Sequence, residues 1–147
     1  MNSAILESLD LVSFLYQQDQ IELRHELSAS SPIIRGSLGK LQQVLMNLLS
    51  NARDAMEEAD TRVITVSTRE LDGEIVVDVA DTGCGISENN LERVFVSGYT
   101  SKPVGKGSGM GLDLVRTIIG GMDGSISVSS RPGEGTVFRI VFPRFSA

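Results

Sequence analysis

The stretch 38–58 restricts the possible folds of this chain more than any other. Leu38, Leu41, Val44, Leu45, Leu48, Leu49, Ala52, Ala55 and Met56 recur there at intervals that build one broad apolar face on a long helix. Ser37, just before it, is placed to cap the helix N-terminus. The opposite strip reads Gln43, Asn47, Asn51 and Asp54. Asn is a poor helix former, so two of them in mid-helix cost stability relative to Ala or Lys. A solvated strip ordinarily uses Glu and Lys. Two amides one turn apart instead suit Mg²⁺, which keeps most of its waters and takes one or two protein oxygens.

The rest of the chain supplies what the long helix packs against. Residues 5–17 form a shorter amphipathic helix with Ile5, Leu9, Val12 and Tyr16 on one side. Ile21, Leu23, His25 and Leu27 alternate with Glu22, Arg24 and Glu26 as a half-buried strand; Pro32-Ile33-Ile34-Arg35, ended by Gly36, reads as a second. Residues 62–69 and 74–80 alternate with period two about Asp72-Gly73, a two-residue hairpin signal. A helical turn or two is expected over 88–94 behind Ser87, then a long mobile loop over 95–108. Leu112, Val115, Ile118, Ile119 and Met122 mark a further core-facing helix, stopped by Asp123-Gly124. Strands over 125–130 and 136–142 follow, joined by Arg131-Pro132-Gly133-Glu134-Gly135. Helices so few and so amphipathic must share one face of a mixed sheet, so the expected fold is a two-layer α/β sandwich.

At 147 residues the chain reads as one domain, 1–147. A net charge of −6 argues against a nucleic-acid partner, whose footprint is basic. Cys84 is the only cysteine, which leaves no internal disulfide and fits a reducing, cytoplasmic setting. No apolar run approaches the ~20 residues that span a bilayer, so this segment is not expected in a membrane, though a longer parent could be anchored in one.

Two glycine groups carry the chemistry. Asp81-Thr82-Gly83-Cys84-Gly85 follows a strand, where a carboxylate can accept from an exocyclic amine while Gly83 and Gly85 let a flat ring lie on the backbone. Asp-Thr-Gly also makes ordinary tight turns, and it occurs in aspartic proteases. Those enzymes are almost all β, which leaves the Asn-bearing helix unexplained. Gly105-Lys106-Gly107-Ser108-Gly109-Met110-Gly111 is neither a Walker A loop nor a dinucleotide fingerprint. It runs straight into a helix, whose free N–H groups and dipole favour phosphate, with Lys102 and Lys106 upstream. Together with the amide strip, these groups point to a nucleotide–magnesium site.

In this combination and order the chain resembles the ATP-binding catalytic domain of bacterial sensor histidine kinases, within the wider group of gyrase, a heat-shock chaperone and MutL. Asn47-Leu48-Leu49-Ser50-Asn51-Ala52 is similar to that family's N box, Asp81 to Gly85 to its first glycine box and Gly107 to Gly111 to its second. Phe95 and Thr100-Ser101-Lys102 resemble the F box and its tail, and Gly133-Glu134-Gly135-Thr136-Val137-Phe138 the closing Gly-Thr element. The resemblance covers nearly the whole chain and implies the Bergerat ATP-binding fold, with ATP and Mg²⁺ as cofactors.

It also implies residue roles. Asn51 would hold the Mg²⁺, assisted by Asn47, with Asp54 nearby. Asp81 would read the adenine amine, with Gly83, Gly85 and Ile86 beside the base and Thr136 beneath it. Gly107, Ser108, Gly109, Met110, Gly111 and Leu112 would line the nucleotide, and Lys102 and Tyr99 would reach it from the lid. Asn47 and Lys102 are the expected catalytic pair. In the gyrase-like and chaperone-like branches, a Glu or Asp that activates water precedes the metal-binding Asn by one turn. Asn47 stands in that place and cannot take a proton near pH 7. The implied nucleophile is therefore a histidine on a separate dimerisation domain, with a response-regulator receiver downstream. That phosphoacceptor domain is not expected within 1–147. The alternative is a stand-alone relative, such as an anti-sigma serine kinase or an ATP-dependent interaction module.

Two features depart from the pattern. Where the family has Phe-x-Pro-Phe, this chain has Phe95-Val96-Ser97-Gly98-Tyr99, leaving Tyr99 as the second aromatic. His25-Glu26-Leu27 imitates a phosphoacceptor motif, but it lies in a strand-period segment instead of on a long helix, so His25 is read as a core or edge histidine.

Overall fold

The computed structural model describes residues 2–27, 37–86, 91 and 111–143. Among them are helices α1 (Asn2–Gln18), α2 (Leu38–Ala55) and α3 (Gly111–Gly121), and strands β1 (Glu22–Leu27), β2 (Val63–Leu71), β3 (Glu74–Asp81), β4 (Ser125–Arg131) and β5 (Gly135–Pro143). The strands form one mixed sheet in the order β1-β2-β3-β5-β4. β1 runs parallel to β2, a pairing that needs the long crossover that carries α2, and the other pairs are antiparallel.

Alternation decides which face of the sheet is covered. Ile64 and Val66 of β2, Val77 and Val79 of β3, and Phe138, Ile140 and Phe142 of β5 are buried. They share one core with Ile5, Leu9, Val12 and Tyr16 of α1, Leu41, Val44, Leu45, Leu48 and Leu49 of α2, and Val115 and Ile119 of α3. The three helices therefore lie on the same side of the sheet, giving the expected two-layer α/β sandwich. On the other face Arg139 donates to both Asp78 oxygens, at 2.9 and 3.1 Å, across the β3–β5 ladder.

Local chemistry accounts for the element ends. Ser37 Oγ accepts from the Lys40 N–H at 3.4 Å, as an N-cap. Asp72 and Gly73 both take positive φ, 53° and 78°, the two-residue turn that matches strand twist. α3 stops where Asp123, not Gly124, adopts the left-handed conformation at φ 60°, while the Gly124 N–H reaches back to Ile119 O at 2.9 Å. Gly124 is needed for space instead: a Cβ there would lie 2.8 Å from Phe142 Cδ1 and 2.9 Å from Val141 O.

α2 ends three residues before the expected boundary at Glu58. The Met56 and Glu57 N–H groups bond to Arg53 O and Asp54 O, three residues back, and Ala59 N–H bonds to Met56 O. This tightening releases the Ala55 carbonyl from the helix ladder. Arg62 then secures the connection, its guanidinium donating to Ala59 O at 3.1 Å, Asp19 O at 2.8 Å and Glu57 O at 2.7 Å. Arg53 pairs with Asp19 and lies over the Tyr16 ring, 5.3 Å from its centroid, which ties α1 to α2. Tyr16 has its hydroxyl pKa raised, chiefly by burial. His25 is exposed on the edge strand β1, so it is the edge histidine of the two readings and no part of the core. The strand expected over 32–35 and the loop over 95–108 lie outside the described residues; of 88–94 only Leu91 is described, and its backbone is helical. No helix among the described residues is long and apolar enough to cross a membrane.

Candidate functional site

The site is built at the end of the sheet where β3 runs out. Ladder register aligns Ile64, Asp81, Thr136 and Ser130 across β2, β3, β5 and β4. Directly opposed residues present side chains on one face, so this row lies on the helix-covered side. Asp81 is 9 % exposed and Thr136 4 % exposed, polar groups at the rim of an apolar layer. Asp81 Oδ1 accepts from the Gly83 N–H at 2.8 Å, and the Thr136 N–H also faces this carboxylate. Burial pushes the Asp81 pKa up to about 6, against the lowering pull of those two N–H groups. Two amide donors leave the carboxylate with lone pairs to spare.

The turn after Asp81 is clamped on three sides. The Thr82 hydroxyl accepts from the Val63 N–H at 3.0 Å and donates to Thr61 O at 2.7 Å, which pins the turn to the start of β2. The Cys84 N–H donates to the freed Ala55 carbonyl at 2.9 Å, and Cys84 O accepts from the Gly133 N–H at 2.7 Å. The Ile86 N–H donates to Ser130 Oγ at 2.7 Å.

The glycines answer first to the protein itself. A Cβ on Gly83 would stand 2.6 Å from Ala55 O and 2.9 Å from Ala55 Cβ. At Gly85, with φ 76°, it would stand 2.1 Å from Arg131 O. On their Cβ sides these two positions are filled by the end of α2 and by the end of β4.

The contact at Ala55 also orients the amide strip. Asn47, Asn51 and Ala55 are spaced by four, so they lie one above another on α2, and Ala55 touches the Asp81–Gly85 turn. Asn47 and Asn51 are half-buried. Asp54 is exposed and borders a hollow of about 400 Å³ shared with Asp19, Arg53, Met56 and Arg62, whose two arginines are engaged as described above. Gly111 opens α3, and Leu112 packs half-buried on the core. Tyr99, Lys102, Gly107, Ser108, Gly109 and Met110 lie outside the described residues.

Among the described residues no three His, Cys, Asp or Glu side chains gather as a metal cage. Asn47 and Asn51, one turn apart on α2, carry amide oxygens of the kind that fits a hard cation keeping its waters and shared with a phosphate ligand. Three participants were not singled out from the sequence: Ala55, Thr82 and Ser130. Ser130 was within reach by counting, since a hairpin pivoting on 131–135 sets residue 130 opposite Thr136.

The profile of the family described as "Histidine kinase-, DNA gyrase B-, and HSP90-like ATPase" matches residues 36–146. The chain is 37 % identical over 144 residues to the sensor histidine kinase ZraS of Salmonella typhi, covering 97 % of this chain and 30 % of that protein. It is 37 % identical over 139 residues to the sensor kinase CckA of Brucella abortus, covering 84 % of this chain and 14 % of that one. The chain thus spans less than a third of these relatives. Among solved structures, the catalytic domain of the histidine kinase ThkA superposes with a TM-score of 0.85 at 27 % identity, covering 98 % of this chain and 92 % of that one. Full-length ShkA in complex with AMPPNP gives 0.85 at 26 %, covering 99 % and 30 %.

Proposed function

The chain belongs to the histidine kinase-, DNA gyrase B- and HSP90-like ATPase family and is homologous to sensor histidine kinase catalytic domains; from this footing we propose that it binds ATP with Mg²⁺ and donates the γ-phosphate to a histidine on a separate dimerisation domain. The observation that carries the reading is the buried Asp81 carboxylate, held by two backbone N–H groups with lone pairs left over, beside a turn that α2 pins below its amide strip. A buried acceptor of that kind calls for a donor-bearing partner, and the exocyclic amine of adenine is one.

Each residue then has a task. Asp81 accepts from the adenine amine, and Thr136 supports the same edge of the base. Asn51, seconded by Asn47, supplies amide oxygen to the cation. Gly83, Gly85 and Ile86 shape the base side of the cleft, and Gly111 and Leu112 open the helix that receives phosphate. Residues 107–110 would line the nucleotide, and Lys102 and Tyr99 would reach it from the lid. Bound Mg²⁺ would neutralise phosphate charge. Asn47 holds no proton-accepting group, so water is left unactivated and an imidazole from the partner domain is the better nucleophile. The protein's share of such a transfer is positioning and electrostatics. A response-regulator receiver is the next acceptor in this reading.

The test is to incubate the chain with radiolabelled ATP and Mg²⁺, with and without the histidine-bearing dimerisation domain of its parent kinase. Acid-labile phosphate is expected on that domain and none on His25. Acid-stable phosphoserine on a partner, or brisk ATP hydrolysis without any acceptor, would contradict it. By calorimetry, Asn51→Ala should weaken Mg²⁺-dependent ATP binding at least about tenfold, the worth of one good polar contact. Since Ala is the better helix former, the fold should survive.

A further inference from the structure

The two edges of the sheet are unlike. β1, at one edge, exposes Glu22, Arg24 and Glu26, the charged guard that discourages a strand from pairing with another chain. β4, at the other, reads Ser125-Ile126-Ser127-Val128-Ser129-Ser130-Arg131. It has no proline, and its single charge is Arg131 at its end. Its register with β5 runs from Ser125↔Val141 to Arg131↔Gly135 without a bulge. Among the described residues no strand lies beyond it.

The hairpin fixes which backbone groups of β4 face outward. Arg131 O accepts from the Glu134 N–H inside the β4–β5 connection. A residue of an antiparallel strand turns its N–H and C=O to one side, and its chain neighbours turn theirs to the other. Ser125, Ser127, Ser129 and Arg131 therefore bond towards β5, while Ile126, Val128 and Ser130 aim their backbone groups at the free edge. The side chains of Ser125, Ser127 and Ser129 are exposed, and those of Ile126, Val128 and Ser130 are half-buried.

We propose that β4 is an interface between two copies of this chain: β4 of a second copy adds antiparallel about a two-fold axis at Val128, joining two five-stranded sheets into one. In this register all seven residues pair. Val128 meets the partner's Val128 and Ile126 meets the partner's Ser130, hydrogen-bonded pairs in which each outward N–H finds a C=O. On the exposed face Ser127 meets the partner's Ser129, and Ser125 meets the partner's Arg131, so no like charges are opposed. A foreign strand would find little on β4 to recognise beyond backbone, since its exposed side chains are small and almost all neutral. A second copy matches it in length and in charge. The contact is small and suits copies already held together; in a parent tethered as a dimer, the effective concentration would be on the order of millimolar.

Sedimentation velocity across the micromolar-to-millimolar range tests it, and the average mass should climb from one chain towards two. Ser127→Glu with Ser129→Lys sets opposite charges face to face across the axis, and association about fivefold tighter is expected. Ser127→Lys with Ser129→Lys opposes like charges and should weaken association at least about fivefold, although it lowers the net negative charge that keeps copies apart. Both variants change exposed side chains, so the monomer fold should hold. In the unmutated chain, amide exchange should slow on concentration at Ile126, Val128 and Ser130. It should stay unchanged at Ser127 and Ser129, whose N–H groups β5 already holds. A chain that remains monomeric at millimolar concentration overturns the proposal. Association that the two variants leave unmoved, or shift alike, overturns it too. So does association abolished by Phe14→Glu, because Phe14 is 72 % exposed on α1 and would mark that helix as the contact. None of these readouts requires nucleotide, so this proposal and the ATP-binding reading stand or fall separately.

Discussion

Gly85→Ala and Gly73→Ala form a matched pair that isolates the clamp on the Asp81 turn. The two glycines share nearly the same backbone, φ 76° and 78°, so each alanine meets the same left-handed penalty of about 1–2 kcal/mol. Gains from stiffening the unfolded chain are also common to both. Their surroundings differ. At Gly73 nothing lies within 4 Å of the added Cβ, whereas at Gly85 it would stand 2.1 Å from Arg131 O and 2.7 Å from Arg131 C. Relieving that overlap means separating the turn from the start of the β4–β5 hairpin by about 1 Å. Such a shift stretches the bonds from Gly133 N–H to Cys84 O and from Ile86 N–H to Ser130 Oγ, both 2.7 Å. Overpacking at about 1–3 kcal/mol and weakened hydrogen bonds at about 1 kcal/mol each set Gly85→Ala at least about 2 kcal/mol below Gly73→Ala. With a urea slope of about 2 kcal/mol per molar, the unfolding midpoints should differ by about 1 M. Equal midpoints would show that the turn is not held against Arg131, and the reasoning would fail.

Other consequences follow from the same contacts. Asp81 holds its proton up to pH about 6 in the folded chain, against 3.8 for a free carboxyl. The folded state therefore binds more protons between those values, and stability falls as pH rises through them, by roughly 3 kcal/mol in all. Asp81→Asn should remove that slope, so urea midpoints of the two proteins should diverge in their pH dependence below about pH 6; parallel profiles would contradict the burial argument. Arg62→Met should lower stability by about 2–3 kcal/mol in urea unfolding, because three backbone carbonyls lose a charged donor; a loss under about 0.5 kcal/mol would mean water replaces it fully. Cys84 is exposed on the turn beside the proposed base site, so ATP should slow its alkylation, and equal rates with and without nucleotide would place the base elsewhere.

Several parts of this protein were determined by local sequence. The apolar face of α2, the Asp72-Gly73 hairpin, the Ser37 cap and the core positions of α1 and α3 depend on periodicity and on single-residue conformational preference, both of which operate within a few residues. The order of the glycine groups and the Asn47–Asn51 spacing carried the family for the same reason. Tertiary contact alone decided the rest. α2 ends at Ala55 because its last carbonyl is taken by Cys84, residues far apart in sequence that no helical period could connect. Gly83 and Gly85 have Ala55 and Arg131 standing against them, contacts that no local pattern reveals. His25 lies in an apolar alternation yet is exposed, since an edge strand has a neighbour on one side only. Ser130 acquires its contacts from strand register, which sets it beside Thr136 and gives it three hydrogen bonds. Propensity acts along the chain, but hydrogen-bond satisfaction and excluded volume act across it, and the end of the sheet around Asp81 is built from the second kind.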